Sequence, residues 1–233
     1  MVDVVSAWQA HQSPMLVVGS CLLALVLSAV VWPAANIALS IAHEGAHALT
    51  ASAMGGKVKS IKISKGGGVT GFTSAGPMGE FLTFLAGYLG PSVFGLMSAV
   101  LLAGDNVVAV LWVSLVLLFL ALLRARNLLA GVGILITGGV FGVVLAYASP
   151  GAQLFFTHTW TWFLLFGGFI DVLVLQHLRE KDVDTSSDAY HLRRLSLLPA
   201  SLWSGFFWLA TLAAIGYGAA ILFGFIAVGV PQL

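Results

Sequence analysis

Seven long apolar runs restrict this chain to folds that live in a bilayer. They are Met15–Val31, Ala34–Met54, Pro77–Ala103, Val107–Leu123, Leu128–Ala148, Ala152–Leu178 and Pro199–Val228. A helix crosses the hydrocarbon core with about 20 mostly apolar residues, so each run is a candidate span. Only 8% of the residues are charged, too few to cover a soluble surface, which typically carries about 25%. The expected architecture is an all-α polytopic membrane protein of about seven transmembrane helices, one integral-membrane domain over residues 1–233. Gly90-Pro91 inside the third run predicts a break or kink, because proline removes a helical hydrogen bond.

The basic residues orient these runs. Lys57, Lys59, Lys62 and Lys65 follow the second run, Arg124 and Arg126 the fourth, and Arg179, Lys181, Arg193 and Arg194 the sixth. The intervening loops at Pro33, Asp105-Asn106 and Ser149-Pro150-Gly151 have none. Because Lys and Arg favour the cytoplasmic side, this pattern places the N-terminus inside and the C-terminus outside a cell membrane. Met1–Pro14 holds Asp3 and no Lys or Arg, so the first run reads as a retained span, not a secretory signal. No basic cluster interleaves with aromatics, which argues against a nucleic-acid partner. Cys21 is alone, so neither a disulfide framework nor a cysteine metal site is available.

Between the second and third runs, Lys57–Ile63 alternates polar and β-branched residues. Lys65-Gly66-Gly67-Gly68 and then Val69–Thr73 follow it. Two short β-like stretches around a glycine turn predict a hairpin over about 57–74. Lipid cannot satisfy a strand edge, so the hairpin lies at the interface or within protein. An edge beside a site could pair with an extended peptide.

The chemistry concentrates in the second run, at His43-Glu44-Gly45-Ala46-His47. On a helix over about 34–54, His43 and His47 are four residues apart and share one face, so both imidazoles can bind one zinc ion. Glu44 lies beside the first of them, placed to act as general base toward an attacking water. Hydrogen-bonded helical histidines would be the plain alternative. An acidic or basic residue at the centre of a span costs about 3 kcal/mol, however, and is functional by default. Three ionisable groups in just over one turn therefore favour a metal-dependent peptidase.

In this segment the chain resembles the site-2 protease class of intramembrane metallopeptidases, family M50, and most closely its M50B-like bacterial branch. The resemblance continues through Met54-Gly55-Gly56, Ser74-Ala75-Gly76-Pro77, Ala86-Gly87-Tyr88-Leu89-Gly90-Pro91, Arg126-Asn127-Leu128-Leu129, Leu164–Gly168 and Ser187-Asp188-Ala189. It implies a zinc enzyme that cuts membrane-protein substrates near the cytoplasmic face. Better-known members take a third ligand from an Asp in an Asn-Pro-Asp-Gly or Leu-Asp-Gly element. Here Asn127-Leu128-Leu129-Ala130-Gly131 keeps the Asn without the Asp. Asn127 is left as a candidate for binding substrate backbone, or as a helix cap.

Two aspartates compete for the third position, which a catalytic zinc usually fills with protein. Asp188 precedes the last run and matches the Ser-Asp-Ala element of M50B-like proteins, although Ser187-Asp188 would also suit a helix N-cap. Asp171 lies inside the sixth run, where a carboxylate is a functional candidate by its depth. Glu80 suits a helix cap or a hairpin lysine. His158 is expected at the outer interface beside Trp160 and Trp162. His177 and His191 are expected in solvent around a charged loop that includes Asp182 and Asp184. The seven Trp residues read mostly as membrane anchors. A metal-transit protein and an inactive relative of the peptidases are the rival readings, and oligomeric state is left open.

Overall fold

The computed structural model describes residues 13–229 apart from 31, 65–66, 75 and 181–186. Helices α1 (Pro14–Val30) and α2 (Trp32–Ala53) come first, followed by strands β1 (Lys57–Ser64) and β2 (Gly67–Thr73). Helices α3 (Pro77–Ala103), α4 (Val107–Leu122), α5 (Leu128–Tyr147) and α6 (Pro150–Glu180) follow. The short α7 (Asp188–Ser196) and α8 (Ala200–Leu222) complete the described chain. Mostly helical architecture with one small hairpin agrees with the sequence expectation. Four described helices, α3, α5, α8 and the Pro150–His177 stretch of α6, are long and apolar enough to cross a membrane. Pro14–Ala29 and Val107–Leu122 are apolar but shorter. Helix α2 has 22 residues, with Asn36, Ser40, His43, Glu44 and His47 interrupting its apolar run.

Helix α3 packs closely along α2 through a small-residue face. Gly79, Thr83, Gly87 and Gly90 are all buried, and a Cβ on Gly90 would overlap Ala46. Such bare positions let two helix backbones approach. Pro91 leaves the Gly87 carbonyl without its usual N–H partner, yet α3 runs unbroken through it, so the expected break is absent. A core of Leu39, Ala99, Leu102, Trp162 and Leu165 knits α2, α3 and α6 together, with Ala214 and Ile221 of α8.

Helix α2 ends where Gly55 takes a left-handed backbone (φ 79°), with Gly55 N–H donating to Ser52 and Gly56 N–H to Ala51. That turn sends the chain into β1, which pairs antiparallel with β2 through Ile61↔Thr70, Lys62↔Val69 and Ile63↔Gly68. Two residues of the glycine turn expected at Lys65–Gly68 are strand. Gly67 and Gly68 belong to β2, and Lys65-Gly66 lies outside the described residues. The far edge of β1 is closed by the segment before α5. Ile61 N–H donates to the Arg124 carbonyl (2.7 Å), and Arg126 N–H donates to the Ile61 carbonyl (2.9 Å). The edge obligation that lipid cannot meet is thus satisfied by protein.

Candidate metal centre

One turn of α2 turns His43 and His47 toward α3 and α7. Their Nε2 atoms each lie 3.2 Å from the same atom, Oδ2 of Asp188. One donor atom from each of the three residues falls within 4.8 Å of the others, so the group could hold a metal ion. A tetrahedral site with bonds of about 2.0 Å has edges of about 3.3 Å, close to these two separations. Asp188 is 7% exposed, and its Oδ2 has no hydrogen-bond partner of good geometry. Burial opposes its ionisation, but His47 and His43 outweigh that and hold the carboxyl below the ordinary carboxylate range. Two imidazoles and an anionic oxygen suit zinc.

The sequence offered Asp188 a competing role as a helix cap, and the structure gives that role to its neighbour. Ser187 Oγ accepts from Tyr190 N–H (3.2 Å) at the start of α7, a helix not expected from the sequence. Asp188 becomes the first residue of that helix and reaches inward. Behind the histidines, His47 Nδ1 donates to the Thr83 carbonyl (2.7 Å) of α3. His43 Nδ1 faces Asp171 Oδ2 of α6 at 3.2 Å, off the hydrogen-bonding line. The second expected aspartate therefore touches the site, on the opposite nitrogen.

Room for the centre comes from Gly87. A Cβ there would overlap Asp188 Oδ2 and would crowd Nε2 and Cε1 of His47. Glu44 is 3% exposed, and its Oε2 has no hydrogen-bond partner. Gly68 of β2 lies so close that a Cβ would overlap the Glu44 side chain, while Thr70 Oγ1 donates to the Glu44 main-chain carbonyl (3.1 Å). Any side chain in place of Gly68 would have to displace the carboxylate.

These groups share a cavity of about 570 Å³ lined by His43, Glu44, His47, Asp171 and Asp188, with Glu80, Phe84, Tyr88 and His191 around them. Residues 67–72 of β2 all line it as well. Side chains alternate across a strand, so a wall made of six consecutive residues is the strand's edge. Ile61 and Ile63 of β1 direct their backbone groups away from β2, toward residues 124–127. In an antiparallel ladder that makes Lys62 and Ser64 bond inward, and their partners' neighbours, Gly68 and Thr70, point outward.

Asn127 is placed elsewhere. Its Oδ1 accepts from Ile63 N–H (3.1 Å), its Nδ2 donates to the Ile63 carbonyl, and it caps α5 through Ala130 N–H. The carboxamide thus acts as a rung of the sheet and is absent from the cavity wall. His191, expected in solvent, stacks on Phe84 (4.3 Å, 5°) beside the centre. His158, expected at an interface, is fully buried with Nδ1 on the Leu154 carbonyl, and Trp162 is a core residue. Glu80 lies in the first turn of α3. Asp182 and Asp184 lie outside the described residues. Gly68, Thr70, Gly87 and Tyr88 were not singled out from the sequence, although Gly87-Tyr88 stands within one of the motifs quoted above.

A family model described as Peptidase M50B-like matches residues 15–218. No curated protein and no solved structure matches the chain.

Proposed function

The chain belongs to the Peptidase M50B-like family, and from that membership we propose that it is an intramembrane zinc metallopeptidase cutting membrane-protein substrates near the cytoplasmic face. The observation that carries this reading is the convergence of His43 Nε2, His47 Nε2 and Asp188 Oδ2 beside a buried Glu44 whose Oε2 has no hydrogen-bond partner. His43, His47 and Asp188 would hold the zinc, which when bound polarises the scissile carbonyl and acidifies the attacking water. Glu44 takes the proton from that water and passes it to the leaving amine. His47, anchored behind by Thr83, and His43 present their Nε2 atoms in fixed directions. The missing Asp after Asn127 then has its substitute in Asp188.

A helical substrate has its carbonyls already hydrogen-bonded and must unwind locally to be cut. The outward backbone groups of Gly68 and Thr70 offer an unwound segment an edge to pair with, directly beside Glu44. With about seven spans and the N-terminus inside, the basic loops place this cavity toward the cytoplasm. Among the described residues only one group of metal-ligating side chains occurs, which favours a peptidase over a metal-transit protein.

The test is Glu44→Gln assayed with a co-expressed membrane-protein substrate. The variant keeps its zinc and loses cleavage by about 10²–10⁴-fold, the usual scale for a general base. Cleavage at the wild-type rate would rule out this mechanism.

A further inference from the structure

We infer that Asp171 is a positioning residue for His43, set behind the imidazole and outside the metal-holding trio; the inference rests on the zinc-peptidase reading above. An imidazole binds one ion through one nitrogen. In His43 that nitrogen is Nε2, because Nε2 shares Asp188 Oδ2 with His47. Asp171 Oδ2 stands 3.2 Å from the other nitrogen, Nδ1, so the two aspartates occupy opposite sides of the ring. The group whose donor atoms converge contains Asp188 and leaves Asp171 out.

His43 Nδ1 is buried without a hydrogen-bond partner of good geometry, and this carboxylate is the acidic group that faces it. Contacts of this kind tighten as a site assembles. Asp171 is itself an expensive residue. It is the one ionisable side chain in the apolar stretch Phe163–Leu175, and a carboxylate at such depth needs a partner.

The two histidines therefore differ in what holds them. His47 is backed by a neutral main-chain carbonyl of Thr83, which fixes its ring direction. His43 is backed by a carboxylate on a different helix, which keeps the proton on Nδ1 and strengthens Nε2 as a donor. Asp171 also ties α6 to the catalytic turn of α2, and it is 23% exposed to the cavity.

The experiment is a zinc titration of the full-length chain in detergent micelles against a chromophoric chelator, comparing wild type, Asp171→Leu, Asp171→Asn and Asp188→Ala. Leucine suits the apolar run and removes the acceptor, and asparagine keeps a neutral one. Asp171→Leu is expected to bind one zinc per chain at saturation with a Kd weakened about 10–100-fold. Asp171→Asn weakens it less, and Asp188→Ala loses the site. An Asp171→Leu Kd within twofold of wild type overturns the inference. So does loss of all zinc from Asp171→Leu with retention in Asp188→Ala, which would make Asp171 the ligand. A wild-type chain that binds no zinc removes the peptidase reading as well, whereas a wild type that binds zinc normally isolates the failure to Asp171.

Discussion

Two cavities flank the same helix, and they could hardly differ more. In front of α2, Ser40, His43, Glu44 and His47 line a polar space of about 570 Å³. Behind it, Ala38, Ala42, Gly45 and Leu49 line an apolar space of about 360 Å³, in which Arg124 is the only charged lining residue. The residues His43 to His47 thus serve both faces, with ionisable side chains forward and small side chains back. Their glycine contacts differ in kind. In front, Gly87 and Gly68 have no room for a Cβ, because Asp188 Oδ2, the His47 ring and Glu44 fill it. Behind, Gly45 has nothing within 4 Å of where its Cβ would be. At Gly45 the rear of α2 is open, whereas the glycines facing its front are packed to contact.

Substitutions on the two sides test that contrast. Gly87→Ala should have the largest effect, abolishing zinc binding, since the new methyl collides with Asp188 and His47; zinc analysis of the purified chain reads it. Thr70→Pro removes an outward N–H without touching the β1–β2 ladder. It should lower kcat/KM about 10–100-fold while zinc content stays at one per chain, the cost expected for lost edge pairing. Thr70→Val keeps that N–H and should lose less. Asn127→Ala acts on the front wall from behind, freeing the edge of β1 at Ile63. It should destabilise the chain by about 1–3 kcal/mol in a thermal or denaturant unfolding assay. Gly45→Ala is the smallest and has the opposite sign. A mid-helix glycine with open space beside it should gain about 0.5–1 kcal/mol on replacement, with zinc binding unchanged. Loss of zinc from Gly45→Ala would erase the distinction between the two faces.

Much of this architecture was legible from residue pattern. The apolar runs anticipated most helix positions to within a few residues, and the alternation in Lys57–Ile63 anticipated β1. His43, Glu44 and His47 stood out because ionisable groups are expensive in an apolar helix, whatever fold surrounds them. What stayed hidden depended on contacts distant in sequence. Sequence put Asp188 only slightly ahead of Asp171, because nothing local shows that the two carboxylates lie on opposite sides of the His43 ring. Asn127 carried a familiar neighbourhood, but its partner, Ile63, lies in a different element. Gly87 and Gly68 are two glycines among 27, and nothing local marks them as the two that meet Asp188, His47 and Glu44. Helix α7 escaped notice because its Ser187 cap and the inward-facing Asp188 are adjacent in a charged stretch that reads as loop.

The central claim is that α7 delivers the third metal-holding residue to the α2 pair, and the zinc content of Asp188→Ala tests it most directly. Purified full-length wild type should carry one zinc per chain by elemental analysis, and Asp188→Ala should carry essentially none at the same free zinc concentration. Full zinc occupancy in Asp188→Ala, with wild-type affinity, would contradict the account.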